Sequence, residues 1–165
     1  MGRKRNRRKN GHEDGLRKGK ETRKMDYRKF GNTYVIRMDR GEEIVRTLTD
    51  FCKKENITLG SVDALGAADH AVIGLYDVET REFHKKTFDE PLEISSLHGN
   101  ISTMNGEIYL HLHINLARED LSVVGGHLAE CRLSATCEMF VRSIDGTVER
   151  RHDDEVTGLN LYDFV

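Results

Sequence analysis

Beyond Ile57 no stretch of the sequence repeats its apolar residues at a helical spacing. They come instead as short pieces, 57 to 65, 71 to 76, 82 to 88, 92 to 102, 107 to 116, 122 to 129 and 131 to 144, separated by Gly, Asp, Asn and charged pairs. Such a pattern predicts a meander of strands, with hairpin turns at Asn105-Gly106 and Asp145-Gly146. Upstream, Tyr34, Ile36 and Met38 alternate with Val35 and Arg37 as a further strand. A single helix is expected after it. Ile44, Val45, Leu48, Phe51 and Cys52 make one apolar stripe, Glu42 and Glu43 stand at its positive end, and Lys53 and Lys54 stand at the other. Asn56 suits the left-handed residue that stops it. One helix covers one face of a sheet, so the remaining apolar surface must be covered by curling or by another subunit.

Charge divides the chain in two. The whole chain of 165 residues is close to neutral, at -2, yet residues 1–24 carry 11 basic and three acidic side chains while residues 25–165 carry 15 and 25. The body is therefore at -10 and the N-terminal segment at +8. Residues 1–24 hold no Tyr, Phe, Val or Ile and read as a disordered basic tail; residues 25–165 are long enough to bury a core of their own as one domain. Arg3, Lys4, Arg5, Arg7, Arg8 and Lys9 in that tail can neutralise phosphates without reading a base sequence, which makes duplex DNA a candidate partner; a plain solvated leader fits the same composition. No apolar run approaches the roughly 20 residues needed to cross a bilayer, and none follows the basic start as a signal peptide requires. Cys52, Cys131 and Cys137 are an odd set without a CxxC pair, which argues against a disulfide framework. A cytoplasmic protein without a membrane partner is expected.

The segment Leu110-His111-Leu112-His113-Ile114 is where chemistry is expected. With a side-chain period of two, Ile108, Leu110, Leu112, Ile114 and Leu116 form an apolar face, and Tyr109, His111, His113 and Asn115 point to the other. A turn at Arg118-Glu-Asp-Leu121 folds the next strand back, so that paired residue numbers sum to roughly 238–240 and His111 faces residues 127–129. His127 arrives there behind Gly125-Gly126, whose missing side chains leave room beside His113. Three imidazoles from adjacent strands suit a divalent metal with one position left open. Zinc is the first choice for neutral imidazole, and nickel, copper or iron(II) fit the same ligands. Two exposed histidines without a metal are the plainer explanation of the spacing. Glu93, Glu130 and Glu138 are weaker candidates as general bases, and His98 is a weaker neighbour of the cluster. Cys131 and Cys137 read as core residues, and Gly66 and Gly74 as a turn and a close backbone contact.

The order Gly66-Ala67, Gly74-Leu-Tyr-Asp77, Pro91-Leu-Glu-Ile-Ser-Ser-Leu-His-Gly-Asn-Ile101, His111-Leu-His-Ile114, Gly125-Gly-His-Leu128 and Thr157-Gly-Leu159 resembles the PPC domain, conserved in plants and prokaryotes. The resemblance covers about residues 33–162. It implies an α/β (α+β) fold with a largely antiparallel sheet and one principal helix, assembled as a homotrimer. It also implies a metal on His111, His113 and His127, as in prokaryotic members, because all three motif positions are intact; plant versions lack these histidines, so a prokaryotic source is favoured. Stand-alone members are commonly given a DNA-binding label. The AT-hook of the plant proteins does not carry over: it needs an Arg-Gly-Arg-Pro core, and the tail has no proline. Two readings follow. The first is a DNA-associated regulatory module whose three tails act together on one trimer. The second is a metal-dependent enzyme acting on a small-molecule ligand through the three histidines.

Overall fold

A computed structural model of the chain describes residues 25–164. The basic segment with Arg3, Lys4, Arg5, Arg7, Arg8 and Lys9 lies outside the described residues. In chain order the described elements are β1 (Asp26–Phe30), β2 (Thr33–Asp39), α1 (Ile44–Glu55), β3 (Gly60–Asp77), β4 (Glu82–Phe88), β5 (Leu92–Met104), β6 (Glu107–Ala117), β7 (Val123–Ser143), β8 (Glu149–His152) and β9 (Asn160–Asp163). All the strands join one sheet, antiparallel except for the contact of β8 with β5. An antiparallel sheet with a single helix is the architecture that the apolar spacing foretold.

Two long strands carry the sheet. β3 and β7 pair along most of their length, from Gly60 opposite Ser143 to Gly74 opposite His127. The β5–β6 hairpin then closes a ring: β5 pairs the first half of β3, while β6 pairs β5 on one edge and the start of β7 on the other. β4 takes the place of β5 beside the second half of β3. The expected separate strands 57–65 and 71–76 are therefore one strand, and so are 122–129 and 131–144. Register shifts next to Gly66, between Ala68 and His70, and between Val72 and Ile73 bend β3 without ending it. Gly66 sits in mid-strand, not in a turn: a Cβ there would strike the backbone of Thr136 and Cys137.

The turn Asn105-Gly106 forms the β5–β6 hairpin as expected, both residues having positive φ, 55° and 78°. The Asp145-Gly146 pair does not form a hairpin. β8 leaves β7 there and pairs with β9 and β5, because the inner edge of β7 is already taken by β2 and β3.

α1 follows its sequence pattern closely. Ile44, Leu48, Phe51 and Cys52 are buried, and Asn56 ends the helix in the left-handed conformation at φ 54°. Phe51 meets Tyr34 of β2 and Tyr27 of β1 edge-on, at 5.2 and 5.0 Å between ring centres. A glutamate, Glu43, serves as N-cap: its carboxylate accepts from the N–H groups of Val45 and Arg46 at 3.0 and 2.7 Å, and from the N–H of Cys131 in β7 at 3.0 Å. That third bond explains why the longer glutamate replaces the usual Ser or Asp, since it must also reach the sheet. Buried residues of helix and strands form one core cluster. Cys52, Cys131 and Cys137 lie in it unpaired, and burial pushes each thiol up to about 12.

Replacing Glu43 by Ala removes an acceptor for three N–H groups, and the protein is expected to lose about 1–2 kcal/mol of stability. Urea unfolding at neutral pH, with an unchanged slope and a lower midpoint, is the measurement; an unshifted midpoint would show that water replaces the carboxylate fully.

Candidate metal centre

The site is set by the ladder between β6 and β7. His113 stands directly opposite His127, so paired numbers sum to 240, at the upper end of the expected register. Leu112, Ile114 and Leu116 point into the core, which turns His111, His113 and Asn115 outward. His127 is fixed on both sides, by His113 of β6 and by Gly74 of β3. The two glycines before it act differently from the expected clearing of space beside His113. A Cβ on Gly126 would lie 2.7 Å from the carbonyl oxygen of Gly74, and one on Gly125 would collide with the Asn115 side chain. They permit close packing of the backbone at the point where β7 passes between β6 and β3.

The three imidazoles converge. One ring nitrogen from each of His111, His113 and His127 lies within 4.8 Å of the others, and the Nε2 atoms of His111 and His113 face each other at 3.3 Å. Two ligands about 2.0–2.1 Å from a tetrahedral metal would themselves be roughly 3.3 Å apart. Burial lowers the pKa of His127 to about 4, with further lowering from His111, His113 and Lys85. Burial also lowers that of His111, helped by His113 and Arg150. Both rings are therefore neutral at pH 7, the form in which imidazole ligates. The donor set fits a divalent metal.

The histidines line a cavity of about 510 Å³ together with Leu75, Phe83, Tyr109 and Leu161. Its inner wall includes Arg150, which is only 8% exposed. Arg150 donates from Nε to Ser102 Oγ at 2.7 Å, from Nη1 to the Asn160 carbonyl at 2.7 Å and from Nη2 to Asn100 Oδ1 at 2.9 Å. Its guanidinium lies over the rings of Tyr162 and Tyr109, 4.2 and 4.8 Å from their centres. The sequence gives no sign of this residue's place: it is one of several charged residues in Val148-Glu-Arg-Arg-His152. Only its place on β8, where it is the one buried residue of four, separates it from Arg151.

Other candidates lie elsewhere. His98 stands opposite His113 in the β5–β6 ladder, but its Nδ1 is held 2.6 Å from Asp63 and it is not among the converging nitrogens. Glu93, Glu130 and Glu138 do not line the cavity. Cys131 and Cys137 are core residues, as their spacing suggested.

Residues 25–145 match the Plants and Prokaryotes Conserved (PCC) domain. Among solved structures the chain is similar to a candidate DNA-binding protein of Bacteroides thetaiotaomicron, at 37% identity over 86% of this chain and 99% of that one, with a TM-score of 0.83. A metal-containing protein of Archaeoglobus fulgidus is also 37% identical, over 85% of this chain and 98% of its own, with a TM-score of 0.75. A plant- and prokaryote-conserved protein of Pyrococcus horikoshii is 29% identical over 86% and 95% respectively, again with a TM-score of 0.75. Among curated proteins none matches the chain.

The depressed pKa of His127 fixes the sign of a pH effect. Between about pH 6.5, where a free imidazole titrates, and about pH 4 the unfolded chain binds a proton that the folded chain refuses. Metal-free protein is thus expected to lose stability as pH falls through this window, and His127→Asn to flatten the loss. Thermal melts at half-unit pH steps in the presence of a chelator measure it; identical slopes for both proteins would contradict the assignment.

Proposed function

The chain belongs to the plants and prokaryotes conserved domain family, and from that premise we propose that it is a metal-centred small-molecule protein, with one divalent ion per chain held by His111, His113 and His127. The observation that carries this reading is the convergence of three ring nitrogens within 4.8 Å on the wall of a cavity. Neutrality of the rings and the facing Nε2 atoms support it. The likeness to a metal-containing archaeal protein lends further support. Zinc is the ion we favour, because all three donors are imidazoles. A divalent ion held by these residues would supply Lewis acidity, able to polarise a carbonyl or activate water. The chain's own residues confine the ligand: Leu75, Phe83 and Leu161 give an apolar wall, and the β6–β7 ladder holds the imidazoles on one side of it.

A DNA-associated role is the second reading, favoured by the basic composition of residues 1–24 and by the likeness to a candidate DNA-binding protein. We assign the DNA contact to Arg3, Lys4, Arg5, Arg7, Arg8 and Lys9, and the folded domain to residues 25–165, because a body at -10 repels a polyanion. The domain is proposed to assemble as a homotrimer. Phe30, Val35 and Phe140 are exposed on adjoining strands β1, β2 and β7, an apolar patch of the kind that a partner copy covers. Three buried unpaired cysteines among the described residues support a cytoplasmic location, and among those residues no helix is long and apolar enough to cross a membrane.

Elemental analysis of purified protein is expected to give one divalent ion per chain, and His113→Ala to lose it while keeping the far-ultraviolet circular dichroism of the parent. Retention of the ion by His113→Ala would overturn the ligand set. For the second reading, residues 25–165 alone are expected to sediment with the mass of three chains yet to lose nearly all binding to duplex DNA. Full-length protein should bind with an affinity that falls by orders of magnitude between about 50 and 200 mM salt. Salt-insensitive binding by the shortened chain, or a monomer mass at micromolar concentration, would count against these assignments.

A further inference from the structure

We propose that the histidine cavity takes a small organic acid, its carboxylate received by Arg150 and its other polar end directed to the three-histidine centre. The second half rests on the metal reading above; the first does not. Arg150 is the one group in this cavity whose chemistry the fold leaves incomplete. It is more than nine-tenths buried, yet its three hydrogen-bond partners, the Ser102 hydroxyl, the Asn100 amide and the Asn160 carbonyl, are all neutral. A guanidinium has five N–H donors, so these bonds leave one on each Nη. The rings of Tyr109 and Tyr162 return part of what this cation loses in leaving water, but only an anion offsets the cost of a buried charge fully. Pinning β8 to β5 and β9 needs only a neutral donor. The charge is therefore best explained by a ligand.

Three features narrow the ligand. Tyr109 and Tyr162, with ring centres 4.8 and 4.2 Å from its guanidinium carbon, hold Arg150 in place, and a positioned guanidinium suits the two parallel bonds of a carboxylate. Asn100, which holds Nη2, is paired with His111 in the β5–β6 ladder, so the cation and the imidazoles are neighbours and one small molecule reaches both. Leu75, Phe83 and Leu161 complete the cavity with carbon, which favours an organic body over inorganic phosphate.

Calorimetry and ligand-observed NMR on the full-length chain test this in two arms. With metal removed by chelation, phenylacetate is expected to bind at least about tenfold tighter than phenylacetamide, which has the same shape without the charge, and Arg150→Gln to erase the difference. Equal affinities, or preference for inorganic phosphate over phenylacetate, would overturn the carboxylate subsite whether or not the protein holds a metal. Should Arg150→Gln fail to fold, the comparison of the two ligands on the unmutated chain decides, with shifts of the Tyr109 and Asn160 amide signals locating the site. In zinc-loaded protein, succinate monohydroxamate is expected to outbind butyrohydroxamate by about tenfold or more, since only the first offers a carboxylate to Arg150. Equal affinity there would overturn the bridging geometry. Absence of bound zinc together with an intact phenylacetate preference would fell the metal reading and leave the anion subsite standing.

Discussion

A slip of one residue in the β6–β7 ladder would turn His111 and His113 into the core and push Leu112 and Ile114 into water. Both the site and the closure of the ring depend on that register, and several interactions hold it. The connection at 118–122 is tight: the N–H of Leu121 bonds the Arg118 carbonyl at 2.8 Å, the N–H of Arg118 bonds the Ser122 carbonyl at 2.9 Å, and Asp120 accepts from Ser122. Leu121 takes a positive φ of 64° to make the reversal. Beyond it, burial of Leu112, Ile114 and Leu116 penalises any slip by the transfer of three large side chains, roughly 1.5–3 kcal/mol each. On the far edge Gly126 lies against the Gly74 carbonyl so closely that a larger residue at 126 would force β7 and β3 apart, while one at 74 would strike the Phe83 ring of β4. The imidazoles converge because the apolar residues between them have nowhere else to go.

The electrostatics of the cavity run against those of the surface. The body carries ten more acidic than basic side chains, yet among the described residues the cavity wall offers three imidazoles and one buried guanidinium and no carboxylate. Each positive charge there makes protonation of the histidines harder. Burial is the first cause of the low pKa of His111 and His127, and Arg150 and Lys85 add to it. The arrangement keeps lone pairs available at neutral pH, which is the condition for metal binding, and leaves the pocket receptive to negative charge. A carboxylate on the wall would have cancelled Arg150 and tightened the grip of the histidines on protons.

Much of this was legible in the sequence where one physical rule decided the outcome. Alternation placed His111 and His113 on one face, a short connection brought His127 across from them, and an apolar stripe with an Asn stop marked α1. Continuity of β3 and β7 was not legible. Gly66, Ala67, Ala68 and Asp69 look like an interruption, because small residues at bulges serve close strand packing and leave no apolar rhythm. β1 was missed because four of its five residues are exposed, so no alternation appears. Its place is fixed by pairing with β2 and by the contact of Tyr27 with Phe51, both of which are tertiary facts. Arg150 was missed for a related reason. Charge predicts exposure almost everywhere, and only the pairing of β8 with both β5 and β9 brings this residue against Tyr109 and Tyr162.

The same charge distribution bears on whether one surface can serve both DNA and a small ligand. Phosphate backbones are bound by rows of exposed Lys and Arg, and each contact contributes through release of counterions. Among the described residues the cations that act on the histidines include Lys85 and Arg150, and the second is buried against two tyrosine rings. A duplex cannot reach it, whereas a molecule small enough to enter a cavity of about 510 Å³ can. Long-range attraction does not help either, since a body at -10 repels a duplex, and at physiological salt that repulsion fades only beyond roughly 8 Å. On these grounds we assign any DNA contact to residues outside this cavity, and our proposal gives the three histidines and Arg150 a small acid instead.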